Sequence, residues 1–188
     1  MQRKLSNQWF AKERRLLKIV NREWISSIWR GVETGRIDWA DVGWYLIDWA
    51  DFEWYALDRH DSIGMLTSAG PGPVPRSVFR EMEVYIGVVE FFSQLPRKGG
   101  AEIVVQHAGR VDDWREAAER GLYGLDFQRG DQGPYGYRMI ARPTDLLRVE
   151  ELPEWVREWL EGVRLGQAVF AETVTRSLDL SGSGSGWL

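Results

Sequence analysis

The sequence predicts a predominantly helical α+β protein, with an antiparallel helical hairpin, two further long helices and a small two-stranded β element. Three observations lead to this prediction. Apolar residues recur at helical spacing over much of the chain, Gly and Pro interrupt that spacing at a few places, and two short runs have the composition of strands. The 188 residues contain 44% hydrophobic residues and no Cys, which excludes disulfides and thiol chemistry.

The first predicted helix is amphipathic and basic. Its apolar side carries Trp9, Val20 and Trp24, and Gly31 is placed to end it. Its opposite side carries the cations Arg14, Arg15, Lys18 and Arg22. Because such a face suits phosphate groups, nucleic-acid binding is one alternative function.

The second predicted helix contains a near-repeat, IDWADVGWYLIDWADFEWYA, at residues 37–56. As a helix this segment separates a broad apolar side from a line of Asp residues, whereas a strand would mix charged and aromatic residues on both faces. Two aromatic residues, Trp44 and Tyr55, fall beside the acidic side. We predict that they anchor a protein partner, together with Asp41, Asp48 and Asp51.

Charge is divided between these two helices. Residues 1–36 contain nine Lys or Arg against three Glu, and residues 37–61 contain seven Asp or Glu against one Arg. The resulting charges of +6 and −6 are able to steer one copy onto another. The main functional prediction is a non-enzymatic assembly or adaptor protein without a cofactor. A self-associating subunit of a larger particle, such as a viral connector, would fit, in the cytoplasm or in a virion.

The later elements are predicted from periodicity and from Gly and Pro positions. Residues 60–77 are a Gly/Pro-rich loop, followed by a core helix over VFREMEVYIGVVEFFSQL, for which a strand over VYIGVVEFF is the alternative. AEIVVQH and YGYRMIARP are predicted to pair as strands, with the short helix DDWREAAERGLYG between them in the chain. A long final helix starts at Pro153 and runs to Leu178.

These elements define the domain organisation. The helical hairpin covers residues 1–59, the loop 60–77, and the later helices and β element 78–180, in one domain with the hairpin. Residues 181–188 are a flexible Ser/Gly tail, either a linker remnant or a tether that presents Trp187 and Leu188 as an apolar anchor. No apolar stretch reaches the roughly 18 to 20 residues that a membrane-spanning helix needs.

Acid–base chemistry has one set of candidate residues. Asp58, His60 and Asp61 are close in the chain, and His107 follows the first predicted strand. Together they would suit a hydrolase if the fold brought both His side chains to a carboxylate. A His beside Asp is more often a solvated residue, and the separation of the two His gives no sign of convergence, so no metal site is predicted. A non-enzymatic role is favoured.

Overall fold

A computed structural model describes residues 52–69, 72–104, 110–128 and 136–173. The chain divides into two compact units, Met1–Tyr45 and Leu46–Leu188, and every described residue belongs to the second unit. The first predicted helix and the Ser/Gly tail lie outside the described residues. So do eleven of the predicted site residues: Arg14, Arg15, Lys18, Arg22, Asp41, Trp44, Asp48, Asp51, His107, Trp187 and Leu188.

The described part of the second unit is built on a six-stranded mixed sheet with the strand order β3-β5-β4-β2-β1-β6. Its strands are β1 (Glu53–Asp58), β2 (Ile63–Thr67), β3 (Ala101–Ile103), β4 (Tyr123–Gln128), β5 (Gly136–Pro143) and β6 (Arg164–Leu165). The pairs β1–β6 and β2–β4 are parallel, and the other neighbours are antiparallel. It follows that β2, β3 and β4 all end at one edge of the sheet, which we call the carboxyl edge, and that the β1–β2 turn lies at the opposite edge.

This sheet shows that the predicted fold class, predominantly helical with two strands, is wrong. β1 occupies part of the predicted second helix, β2 lies inside the predicted loop, and β4 was assigned to a helix end and a loop. The physical reason is clearest in β1, where Trp54, Tyr55, Ala56, Leu57 and Asp58 are all buried. A strand covered on both faces gives no alternation of polar and apolar residues, so periodicity does not distinguish it from a buried helix.

Three helices accompany the sheet in the described residues: α1 (Met82–Gln94), α2 (Asp112–Glu119) and α3 (Glu154–Glu161). The helical prediction is confirmed for α1 and α2, and the strand alternative for α1 is wrong. The predicted pairing of two strands is also confirmed, since β3 pairs with β5 in antiparallel register. A 3₁₀ turn over Arg76–Phe79 precedes α1 where the sequence predicted the start of the helix.

The predicted long C-terminal helix is wrong for residues 162–173. α3 ends at Gly162, after which the chain becomes β6 and pairs in parallel with β1. The Arg164 guanidinium donates to the backbone oxygen of Asp58 at 2.9 Å and also pairs with the carboxylate of Asp61 at 2.8 Å. These contacts, which local sequence does not reveal, favour the strand over further helix.

The end of α2 follows from one glycine. Gly121 has a φ of +95°, a conformation that L side chains rarely adopt. Its N–H donates to the Ala118 oxygen at 2.9 Å, and the Leu122 N–H donates to the Ala117 oxygen at 3.1 Å. This is the Schellman pattern of helix termination, and it turns the chain directly into β4.

Strand register places α1 and α2 on the same face of the sheet. Tyr55 lies opposite Met65 across β1 and β2, and Met65 lies opposite Gly124 across β2 and β4. The Tyr55 ring stacks on Phe92 of α1 with centroids 4.3 Å apart, and Gly124 lies against Trp114 of α2. The opposite face carries a fully buried apolar row formed by Trp54, Leu66, Leu125 and Met139. Burying a side chain of this size stabilises the fold by about 1.5–3 kcal/mol.

Candidate functional site

The β1–β2 turn carries three of the residues that the sequence proposed for acid–base chemistry. Asp58 is 1% exposed, and its carboxylate accepts three backbone N–H groups. Oδ1 accepts from His60 at 2.8 Å and from Ser62 at 2.9 Å, while Oδ2 accepts from Phe170 at 2.9 Å. Asp58 therefore joins the turn to the segment after β6, and its oxygens face backbone donors of the protein itself.

The neighbouring residues are also held by local contacts. The Nε2 atom of His60 accepts a hydrogen bond from Nε of Arg59 at 3.1 Å, and Asp61 forms the ion pair with Arg164. Val104, the last described residue before His107, lies beyond β3 at the carboxyl edge, so it is at the opposite end of the sheet from this turn. Among the described residues no group of three His, Asp or Glu side chains is arranged to hold a metal ion. The hydrogen bonds and ion pair described for these three residues are all made with other groups of the protein itself.

Tyr55, predicted to anchor a partner, packs inside the protein instead. It is 2% exposed, and its hydroxyl donates to Oε1 of Glu53 at 2.5 Å beneath the stacked ring of Phe92. Burial, followed by the nearby negative charge of Glu53 and this hydrogen bond, raises the pKa of Tyr55 well above its usual value. Its ring contributes to the core, so it is not an exposed anchor.

A polar row at the carboxyl edge was missed by the sequence interpretation. Glu53, Thr67, Asp126 and Arg138 lie opposite one another across β1, β2, β4 and β5. The Thr67 hydroxyl donates to Oδ1 of Asp126 at 2.6 Å, and the Gln128 amide donates to Oδ2 at 2.8 Å. Asp126 is 6% exposed and Thr67 is 7% exposed, so the centre of the row is buried, whereas Arg138 at its end is exposed.

The indole of Trp114 completes the row from α2. Its N–H lies 3.1 Å from the Thr67 hydroxyl and 3.2 Å from the Leu125 backbone oxygen. Buried polar groups without such partners would cost about 1–3 kcal/mol each, so the network stabilises the ends of β2 and β4. The signal that could have found it is the alternation of Gly124, Asp126 and Gln128 on one face, which becomes visible only once β4 is recognised as a strand.

An exposed aromatic residue marks a different surface, formed by α1 and α3. Trp155 on α3 is 43% exposed, and its ring meets Phe91 of α1 edge to face with centroids 5.9 Å apart. The same ring lies over Gly87, 3.7 Å from the position that a Cβ atom would occupy there. The indole is therefore held against two features of α1 while much of its surface faces solvent.

Acidic side chains accompany Trp155 on both helices. Glu83, Gly87 and Glu90 follow one another along a stripe of α1, and Glu154, Glu158 and Glu161 do so along α3. All five Glu residues are exposed, and Arg157 is the one basic residue within the two helices, which leaves them with a net charge of −4. We call this region, with Trp155 at its centre, the α1–α3 surface.

Glu161 of the α1–α3 surface is paired with a cation outside both helices. Arg164 of β6 donates from Nε to Glu161 at 2.8 Å and lies within ion-pair distance of it. These hydrogen bonds lower the pKa of Glu161, so its carboxylate stays ionised while Arg164 offsets its charge. The surface remains acidic, because the other four Glu residues outnumber Arg157.

The fold and these sites define a mixed α/β protein with an internally bonded polar edge and an acidic, aromatic helical surface. The chain matches no protein-family model, and no curated protein or solved structure is significantly similar to it. No helix in the described ranges is long and apolar enough to cross a bilayer.

Proposed function

We propose that this protein is a non-enzymatic binding protein that acts through protein–protein contacts at the α1–α3 surface. The observation that carries the proposal is the exposed, supported position of Trp155. Tryptophan is enriched among the residues that dominate binding energy at protein interfaces. This role takes over the anchoring function that the sequence assigned to Trp44 and Tyr55.

The support beneath Trp155 favours binding because it reduces the entropic cost of ordering the side chain. Immobilising a flexible side chain costs about 0.5–1.5 kcal/mol on association, and the edge-to-face contact with Phe91 restricts the indole before a partner arrives. Gly87 lies under the indole, close enough that a Cβ atom there would be in ordinary van der Waals contact with the ring, 3.7 Å away. The acidic stripes on either side repel phosphate, which favours a protein partner over nucleic acid at this surface.

The experiment compares three proteins as bait: the natural chain, Trp155→Ala and Leu146→Ala. Leu146 is a matched control, because it is the other exposed large hydrophobic residue in the described ranges, 40% exposed, and it lies in the loop after β5. Each bait is immobilised and incubated with an extract of the cells that produce the protein, and bound partners are quantified by mass spectrometry.

We expect a partner that is retained by the natural chain and by Leu146→Ala but is lost with Trp155→Ala. An interface anchor contributes at least about 2 kcal/mol, which corresponds to roughly 30-fold weaker binding. Equal retention by all three baits would contradict the proposal. Circular dichroism and thermal unfolding of each variant confirm that the fold is intact, since Trp155 is not part of the buried core.

A further inference from the structure

We propose that the partner at the α1–α3 surface is the basic block, residues 1–36, of a second copy of this chain; this inference rests on the proposed function. The first argument is charge complementarity. The surface carries five exposed Glu residues, of which Glu161 is offset by Arg164, against Arg157 within its helices, and residues 1–36 carry nine Lys or Arg against three Glu. Opposite charges of this size raise the rate of encounter and set the orientation of docking.

The second argument is chemical composition. Six of the nine cations in the basic block are Arg, so the block brings guanidinium groups to a surface whose centre is Trp155. Arg and aromatic side chains are the groups that pair with an exposed Trp, through cation–π and edge-to-face contacts. An acidic surface with an aromatic centre therefore matches this segment in both charge and chemistry.

The contact joins two different surfaces, so it is heterologous: each copy offers one basic block and one acidic surface. Such contacts continue from copy to copy until they close a ring or extend a filament. Association by this route depends on salt, because the screening length falls from about 10 Å at 0.1 M to about 3 Å at 1 M. The self-association first inferred from the sequence is retained, but its acidic surface is now the α1–α3 surface and not residues 37–61.

The experiment uses the full chain and two charge-reversal variants. The surface variant carries Glu154→Lys and Glu158→Lys, both on the exposed side of α3. The block variant carries Arg14→Glu and Arg15→Glu. Two single reversals are compared as a control: Glu158→Lys, which lies in α3, and Glu150→Lys, which is also exposed but lies outside both helices. Sedimentation velocity is measured from low micromolar to 100 micromolar protein, at about 0.05 M and 1 M NaCl, which brackets the screening range.

We expect the natural chain and Glu150→Lys to self-associate at low salt and to dissociate at 1 M NaCl. Each double variant alone should associate at least about 10-fold more weakly, since each reversal turns an attraction into a repulsion. A mixture of the two double variants should associate again, because the intact basic block of one meets the intact acidic surface of the other. This restoration distinguishes contact between copies from contact within a chain.

Two results would overturn the inference: a monomer at every concentration and salt, or a mixture of variants that does not associate. Neither result would contradict the proposed function, because the capture experiment tests separately whether Trp155 binds a different protein. Conversely, charge-dependent association that is unchanged by Trp155→Ala would contradict the assigned role of Trp155. Thermal unfolding of both double variants verifies that lost association reflects the surface and not the fold.

Discussion

Replacement of Asp58 tests how much the fold depends on one buried carboxylate. Asp58→Ala removes the acceptor for three backbone N–H groups, those of His60, Ser62 and Phe170. A buried donor without a partner costs about 1–3 kcal/mol, and water can reach the two donors in the turn more easily than the Phe170 amide. We therefore expect Asp58→Ala to lower the free energy of unfolding by about 3–5 kcal/mol, a large part of a typical total of 5–15 kcal/mol.

Asp58→Asn tests the contributions of the two carboxylate oxygens separately. The amide oxygen can still accept from His60 and Ser62, but its NH₂ group faces the Phe170 N–H, so we expect a loss of only about 1–3 kcal/mol. Urea unfolding followed by circular dichroism gives both values, with Glu150→Ala as an exposed control expected within about 0.5 kcal/mol of the natural chain.

Hydrogen exchange provides a local measurement of the same contact. The Phe170 amide should exchange faster in both Asp58 variants, because Oδ2 of Asp58 is its acceptor. If Asp58→Ala unfolds at the same urea concentration as the natural chain and protection of Phe170 is unchanged, the carboxylate does not join the turn to the C-terminal segment.

Three further predictions concern backbone space and pH. Gly64→Val should lower stability by about 1–3 kcal/mol in thermal unfolding, since a Cβ at Gly64 would lie 2.7 Å from the Phe170 ring, and adding Phe170→Leu should recover part of that loss. Gly121→Ala should cost at least about 1–2 kcal/mol in the same assay, because of its positive φ and the Leu147 backbone nitrogen 2.4 Å from the new Cβ. Tyr55 has a raised pKa in the folded protein, so stability should fall as pH rises above 10, where the unfolded chain loses a proton that the folded chain retains. Tyr55→Phe should weaken this dependence, while Tyr123, whose pKa burial also raises, continues to contribute to it. Unfolding midpoints at pH 8 to 11 would measure the change, and an unchanged slope would contradict the assignment.

Helical spacing and glycine positions in the sequence were sufficient to predict part of the fold. The sequence predicts a helix over residues 78–95 because its polar residues fall on one helical side. The observed helix is Met82–Gln94, and Tyr85, Val88 and Phe92 on its apolar side are buried. The sequence predicts that α2 ends near Gly121 or Gly124. The helix ends just before Gly121, whose freedom to adopt positive φ is a property of the residue itself. Such signals are local, so a single sequence contains them.

The central strands could not be predicted in the same way. β1 was assigned to a helix, since Trp54 to Asp58 are buried on both faces and no alternation remains to reveal a strand. β2 and β4 contain Gly64 and Gly124, and glycine in a sequence is typical of a loop. In the structure the Phe170 ring packs against Gly64 and Trp114 packs against Gly124, so a side chain does not fit at either position. The polar row at the carboxyl edge depends on those same strands, so it was missed together with them.

The sequence by itself determined the charge division of the chain, the absence of thiol chemistry, the presence of helices α1 and α2, and the pairing of β3 with β5. Only the tertiary structure decided that Tyr55 belongs to the core, that the Asp58 carboxylate accepts backbone N–H groups, and that Trp155 is exposed to solvent. The physical reason is that burial on two faces and long-range strand pairing depend on partners far apart in the chain, whereas helix spacing and glycine conformation are local properties.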